Sequence, residues 1–480
     1  LCGDICLIGA EARVESVDGS DSLVRTSLDE IEKLLTSVAY SSYLTLYESV
    51  KDATKEIVFD LSDYDTEKST ATVELKDSYE NSGCTVLLMG DDGNITFNFT
   101  VPETAMYSVY VEYWTGDIQV YSADGTLACE GKSSDIERII YFDDAVAFKE
   151  SRTITYTRSW EDVYTVITEN NTKDYFASTS DYFLNFVRNN ANNLKNSERL
   201  FPKDSTGNEA KPTKQLYGMW TGAYAYDTSG YYPDPLKYYL TEGEHTFTFE
   251  TITEPMAIKS IVLKAADKAM TYEEYIAYWD AAGAKNYDGE ESIKIQAEYP
   301  VLTSDRTLYQ LNDRKSSYSE PQDATLITYN SIGSTKWQFS GQWIEYTVTV
   351  PEDGYYSIIP RSKQDENMGS FSSRKILIDG ELPFREACDL RFNYSTNWNT
   401  DVLNDGITVF KFYLTAGTHS VRFQVALGTM ADILGKVEDS LTNLNSYYRK
   451  ILMITGAEPD ENRDYNFDNL IPDVVKGLRT

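Results

Sequence analysis

The sequence predicts an all-β fold of two β-sandwich (jelly-roll) modules in tandem, each with a helical leader and insertions. Three observations carry this. The segment "FTVPETAMYSVYVEYW" returns as "VTVPEDGYYSIIPRSK", Pro102 matching Pro351 at an offset of 249. "ERIIYFDDAVAFKES" returns as "SRKILIDGELPFREA" (Phe148 and Phe384, offset 236), and "YYLTEGEHTFTFE" as "FYLTAGTHSVRFQ" (Gly243 and Gly417, offset 174). Echoes in one order at this length mark a duplicated domain rather than a solenoid unit. Second, the repeated text is built of short alternating strands broken by turn chemistry, as in "WIEYTVTVPEDGYYSI". Third, 37 tyrosines among many β-branched residues favour pleated, half-buried surfaces.

Residues 1–26, opening "LCGDICLIGAEA", read as a leader whose Ala10 and Ala12 resemble a signal-peptide cleavage site, which points to export; the alternative, since Asp4 suits such a core badly, is a disordered terminus. A helical leader follows over 27–56: Ser27 and Glu30 form a capping box, and Leu28, Ile31, Leu34, Leu35 and Val38 recur at helical spacing. The first sandwich spans 57–265 and opens on the alternating "EIVFDL". Its insertion, about 165–235, reflects the drifting offset: 95 residues separate Phe148 from Gly243 and 33 separate Phe384 from Gly417, an excess of 62. Within it "SDYFLNFVRNNANNLKNSERL" reads as weak helix, because asparagine disfavours helix. Residues 266–290 form a helical linker capped by Thr271 and Glu274. The second sandwich, 291–457, starts at the strand-like "SIKIQAEYP" and carries a helical insertion, about 430–447, whose Ile433, Val437, Leu441 and Leu444 form a packing stripe. Its last strand is expected in "YRKILMI", and residues 458–480 read as a connector.

A formal net charge of −33 argues against nucleic acid, which needs clustered Lys and Arg, and against an anionic membrane surface. No run of 18 apolar residues exists to span a bilayer. The five cysteines, Cys2, Cys6, Cys84, Cys129 and Cys388, fit neither a disulfide framework nor a zinc knuckle. Cys84 and Cys129 could pair, but two free, mostly buried thiols are the expectation. The two histidines, His245 and His419, hold one position of the repeat beside apolar strand residues, which is a structural placement rather than a catalytic one. Phosphate-loop, dinucleotide and nucleophile-elbow motifs are absent. No carboxylate pair stands out for glycoside hydrolysis.

Aromatic residues are the strongest binding signal. "YGMWTGAYAYDTSGYYPDP" sets Tyr217, Trp220, Tyr224, Tyr226, Tyr231 and Tyr232 among small polar residues. Apolar sugar faces stack on such rings while amides and carboxylates take the hydroxyls. The alternative is that these tyrosines fasten a long loop to the sandwich. Trp160 and Trp398 match between copies, and Trp343 reads as core. Ligand candidates are Trp160, Trp220, Tyr224 and Tyr226 in the first module, and Arg361, Arg391, Asn393 and Trp398 in the second.

"IKIQAEYP", "WIEYTVTVPEDGYYSI" and "LTAGTHSVRFQV" resemble the galactose-binding-like sandwich of family 6 and family 35 carbohydrate-binding modules. "SSDIERIIYFDDAVAFKE", "EPMAIKSIVL", "SSRKILIDGELPFREA" and "GAEPDENRDYNFDNLIPDVVKGL" resemble the N-terminal half of large extracellular solute-binding proteins of gut-type Firmicutes. The resemblance covers about 30–480. It implies a secreted or lipid-anchored cell-surface protein that binds oligo- or polysaccharide and, through its parent protein, meets ABC-transporter components. It also implies a calcium site in each module, held by a first-strand Glu and a last-strand Asp. Glu298 fits the first role in the second module. Ser260 and Lys450 stand where the Asp is expected, and the first module offers Ser62 or Asp63 for the Glu. The alternatives to a non-catalytic binder are a structural spacer without its own ligand and, less favoured, a glycoside hydrolase.

Overall fold

The computed structural model describes residues 38–166, 199–289 and 292–479. The Ser27–Glu30 capping box, Cys2 and Cys6, the first dozen residues and most of the Asn-rich segment lie outside them.

The fold is built mostly of antiparallel strands. In the first module a seven-stranded sheet runs Trp220–Tyr224, Ala105–Trp114, Met256–Lys264, Val86–Met89, Val73–Lys76, with Lys237–Leu240 also on Ala105–Trp114 and Ile57–Val58 on Met256–Lys264. It faces a four-stranded sheet, Asn94–Val101, Gly243–Thr253, Ile136–Phe142, Ile154–Tyr156. Alternation puts Phe97, Phe99, Phe247 and Phe249 on the inner face, where they meet Val109, Val111 and Ile261 in one core.

The second module repeats the four-stranded sheet in the same register. Gly243 stands opposite Val101 and Phe142 opposite Phe247; Gly417 stands opposite Val350 and Ile378 opposite Val421. The helical leaders repeat as well. Tyr40 and Tyr43 accept from the backbone of Lys237 and Tyr239 (2.8 and 2.6 Å); Tyr272 and Tyr275 accept from Lys411 and Tyr413 (3.0 and 2.8 Å). Glu150 takes the free N–H of Tyr40 and Glu386 that of Tyr272 (3.0 and 2.7 Å), which satisfies a helix-start donor each time. Phe148 and Phe384, both fully buried, sit under those tyrosines. Helix Tyr272–Ala281 carries the expected Thr271–Glu274 capping box.

The two modules are joined by a shared sheet. Strands Thr213–Leu216 and Trp160–Val163, from the first module, extend Leu302–Thr303, Trp343–Val350, Gly417–Ala426, Phe371–Ile378 and Leu390–Asn393, with Trp160 opposite Thr303. Inside this joint Lys214 pairs with Asp162 at 2.8 Å, both side chains almost fully buried, and donates to Thr303 Oγ1. Trp343 is core, as expected, with the Arg422 guanidinium 3.9 Å from its ring centroid.

Three expectations are corrected. "SIKIQAEYP" forms no strand. "YRKILMI" is helical: the insertion helix runs unbroken from Met430 to Thr455 rather than stopping near 447. Its stripe is exposed, Ile433, Val437, Leu441 and Leu444 being 50–55% accessible. The helix docks by its other side, Gly435 lying against Tyr231 and Asp439 bonding Lys149 (2.9 Å) and Ser41 (3.0 Å). Among the described residues no helix is long and apolar enough to cross a membrane.

Candidate functional site

Strand Trp220–Tyr224 lies on the edge of the seven-stranded sheet, Trp220 opposite Trp114 and Tyr224 opposite Tyr110. Both cross-strand pairs are in ring contact, at 5.5 and 5.0 Å between centroids. Gly222 between them leaves room for the Tyr110 ring, whose hydroxyl a Cβ there would displace. The Lys264 ammonium sits over the Tyr110 and Tyr224 rings (4.6 and 5.5 Å). Tyr226 lies under Lys375 of the second module, and burial pushes its phenol up to about 12. Tyr232 accepts from the Ser41 backbone and meets Tyr40 edge-on at 4.8 Å. Most of the cluster therefore fastens the insertion down. Trp160 is 7% exposed inside the shared sheet, so it offers no stacking face; Trp398 lies in a different ladder, on Ser395–Thr400 against Arg361–Gln364, so the sequence match does not correspond to one fold position.

Trp220 differs, because it borders open surface. Its indole N–H donates to Glu80 O (3.1 Å), and a run of rings leads from it through Trp114 to Tyr79 (6.3 Å). Beside that run is a cleft of about 340 Å³ lined by Lys76, Tyr79, Asp117, Gln119, Tyr121 and Glu130. Its polar groups are pre-oriented: Tyr121 OH donates to Gln119 Oε1 and Gln119 Nε2 to Glu130 Oε1, both at 2.9 Å. Asp117 is held by Ser133 and by the buried Arg158 (3.6 Å). No linear motif announces this set, since its members come from strands and turns spread over Lys76 to Glu130. The polar–apolar–aromatic run Gln119, Val120, Tyr121 was the one available signal.

In the second module the structure brings together Arg361 and Trp398. They lie on the paired strands Arg361–Gln364 and Ser395–Thr400, with the Arg361 guanidinium 5.8 Å and the Lys363 ammonium 6.0 Å from the indole ring. Arg391 and Asn393 stand on another strand, Leu390–Asn393. Arg391 is tied to Asp389 (3.1 Å) and Thr429 (3.0 Å) over the Phe371 ring, and Asn393 is exposed. The four candidates thus divide into two places.

Glu298 is 1% exposed, with Oε1 unpartnered among the described residues, and burial raises its carboxyl well above the usual range. A calcium ion takes roughly six to eight oxygens, carboxylates prominent among them. Among the described residues no three His, Cys, Asp or Glu side chains are placed to hold a metal. Ser260 bonds Glu112 (3.2 Å), and Lys450 is a helical cation paired with Asp473 (2.8 Å). The residues present do not fit calcium.

The histidines are hairpin staples. His245 and His419 bond Asp143 and Asp379 through Nδ1 (2.7 and 2.6 Å) and the carbonyls of Thr241 and Thr415 through Nε2 (2.8 and 2.7 Å). Cys84, Cys129 and Cys388 are free; Cys84 is exposed, against the expectation of burial, and Cys129 is half-buried.

No family model matches the chain, and no curated protein matches it. Among solved structures it is similar to a family GH115 4-O-methyl-α-glucuronidase with specificity for decorated arabinogalactans (10% identity, 45% of this chain and 18% of that one, TM-score 0.19). It is similar to a family 35 carbohydrate-binding module from Clostridium thermocellum (8% identity, 44% of this chain and 100% of that one, TM-score 0.20). A third likeness is to a Podospora anserina GH26-CBM35 β-(1,4)-mannanase (9% identity, 45% and 28%, TM-score 0.19). The chain thus spans less than a third of the two enzymes' length. At these values none of the likenesses bears on ligand or activity.

Proposed function

We propose that this chain binds carbohydrate without transforming it, through the first-module cleft. The observation that supports this is the run Tyr79–Trp114–Trp220 beside Gln119, Tyr121, Glu130 and Asp117. A sugar ring lays its C–H face on an aromatic ring and its hydroxyls on amide and carboxylate groups, and this cleft presents both with its polar groups already oriented. Trp398 with Arg361 and Lys363 forms a second, cationic aromatic surface that suits a sugar bearing a carboxylate. The wider role belongs to the same proposal: a secreted or cell-surface protein acting within a sugar-transport solute-binding protein, as the sequence resemblance implies.

The test is a glycan array on the intact chain beside Tyr79→Ala, Tyr121→Ala and Trp398→Ala. Loss of binding in the two tyrosine variants supports the cleft. Loss in Trp398→Ala alone moves the site to the second module. Silence of the wild type favours the spacer reading, for which the shared sheet and the fastened tyrosines speak. Release of reducing ends from a bound glycan overturns the non-catalytic reading and points to Asp117 and Glu130.

A further inference from the structure

One strand organises the larger sheet of the first module. Met256–Lys264 pairs with Ile57–Val58, Val86–Met89 and Ala105–Trp114 at once. Among the described residues the second module shows no counterpart of it. There the counterpart of Ala105–Trp114 appears as Gly354–Tyr356 and Arg361–Gln364, each in a ladder of only two strands, and Gln310–Leu311 with Ser331–Ile332 forms a third such ladder. The sheet is in pieces where its central strand should run.

The empty edge can be located from backbone hydrogen bonds. In the first module Met106 bonds Lys51 O and Ala53 N on this edge (2.9 and 3.0 Å), and beyond it Ser108, Tyr110 and Glu112 face Lys264, Val262 and Ser260. In the second module Tyr355 bonds Lys285 O and Tyr287 N in the same way (2.8 and 3.2 Å). By alternation, Ser357, Ile359 and Arg361 turn to that edge, and no strand pairs with it among the described residues. Pro360, which has no N–H, turns the other way with Ile358, whose carbonyl accepts from Leu403 (3.0 Å) as Val109 does from Ala225 (2.9 Å). The edge is unobstructed by proline.

The chain contains a segment of the right text in the right order. Beyond the Gly417–Ala426 strand and the 430–447 insertion comes "YRKILMI", with Lys450 in the place of Ser260 and Ile451 in the place of Ile261. Here it ends the helix Met430–Thr455, where none of it is fully buried: Tyr448 is 62% and Met453 61% exposed, and Ile451, Leu452 and Ile454 are half-buried. The first-module counterparts of Ile451 and Met453, Ile261 and Leu263, are 0% exposed. Ile451, Ile454 and Thr455 are β-branched, which suits a strand better than a helix.

We infer that residues 448–455 are a convertible segment: they leave the helix and insert antiparallel beside 357–361, in the register of the first module. Met453 then lies opposite Ile358 as Leu263 lies opposite Val109, Ile451 and Met453 enter the core, and 430–447 stays helical. The Lys450–Asp473 ion pair opens, and "SIKIQAEYP" gains the partner that its alternation implies. The same insertion gives the second module a closed and an open state.

The test is an Ile358→Cys/Met453→Cys variant of the full chain under mild oxidation, read by peptide mass spectrometry. Opposite residues of a non-hydrogen-bonded pair lie about 4.5 Å apart at Cα, within reach of a disulfide. A 358–453 link within one chain, absent from the Ile358→Cys/Leu452→Cys control, is the expected result. No link, or a link only between chains, overturns the inference, the second outcome assigning the edge to another copy. Because core cysteines disturb folding, thiol labelling of Met453→Cys and Leu452→Cys singly is the companion measurement. Insertion makes position 453 react about tenfold more slowly than 452; equal or faster reaction at 453 refutes it.

Discussion

Phe384→Ala, set against Phe148→Ala, tests whether the two leading helices are held by one device used twice. Each ring is fully buried. Phe384 meets Tyr272 (4.8 Å), Tyr275 (5.2 Å), Phe410 (5.1 Å) and Phe412 (5.4 Å); Phe148 meets Tyr40 (4.6 Å), Tyr43 (5.0 Å) and Tyr238 (5.0 Å). Removing such a ring forfeits its transfer free energy and several aromatic contacts and leaves a cavity, together about 3–5 kcal/mol. Two modules need not unfold as one, so a single denaturation midpoint would blur the effect. Hydrogen exchange resolves it locally. A loss of about 4 kcal/mol raises local opening about a thousandfold. In Phe384→Ala that acceleration should appear at the Tyr275 amide, bonded to Thr271 O, and at the Lys411 and Tyr413 amides held by the tyrosine hydroxyls. The matching amides of Tyr43, Lys237 and Tyr239 should keep their protection, and Phe148→Ala should reverse the pattern. An unchanged Tyr272–Ala281 helix, or equal loosening of both helices by either variant, refutes the reasoning.

The remaining predictions concern charge. Burial lowers the His419 pKa, but its bonds to Asp379 and the Thr415 carbonyl outweigh this and raise it net above 6.5. The staple therefore contributes fully below the unfolded value and is lost as pH rises through the folded one; an NMR titration midpoint below 6.5 would contradict it. Burial also raises Asp135 to about 6 and Glu150 and Glu209 to about 7. The folded chain then holds more protons than the unfolded one between the ordinary carboxylate values and pH 7, so stability falls as pH rises through that window. The melting temperature should be higher at pH 5.5 than at pH 8, and Glu209→Gln should flatten the slope; a melting temperature that rises with pH counts against it. Millimolar calcium should move the melting temperature by less than about 1 °C, where a bound structural ion would give a shift that grows with concentration.

The duplication was legible because its fold determinants are chemically conspicuous. Gly243 and Gly417 adopt positive φ in their turns, Asp143 and Asp379 do so beside the histidines, and Phe148 and Phe384 fill the core. Such positions tolerate few residues, so the two copies kept them. At "SIKIQAEYP" alternation and structure part for a physical reason: alternation reports a face that could be buried, burial needs a partner strand, and among the described residues no strand pairs with it. The helix end was missed because β-branched residues at 451 and 454 argue for a strand, while continuity with the preceding helix decides otherwise. Trp160 could not be placed from text, as its partners Leu216 and Thr303 lie far along the chain. The cleft was illegible for the same reason. Trp220, Arg361 and Trp398 were named from sequence, but the contact between Arg361 and Trp398 comes only from the pairing of their strands.

The shared sheet has a mechanical consequence. Covalently, the modules meet at 266–290, and a protease or a cloning boundary placed there would seem to part them cleanly. Structurally the division runs elsewhere, since Trp160–Val163, itself paired with Thr213–Leu216, bridges to Leu302–Thr303 at Trp160. A tensile load applied across the linker therefore does not simply straighten a flexible tether. It must also break the ladder at Trp160 and the bond from Lys214 Nζ to Thr303 Oγ1 before the two halves swing apart. Cutting at 266–290 alone would leave a nicked but undivided body, and either half made by itself would expose a raw strand edge, the kind that recruits other chains.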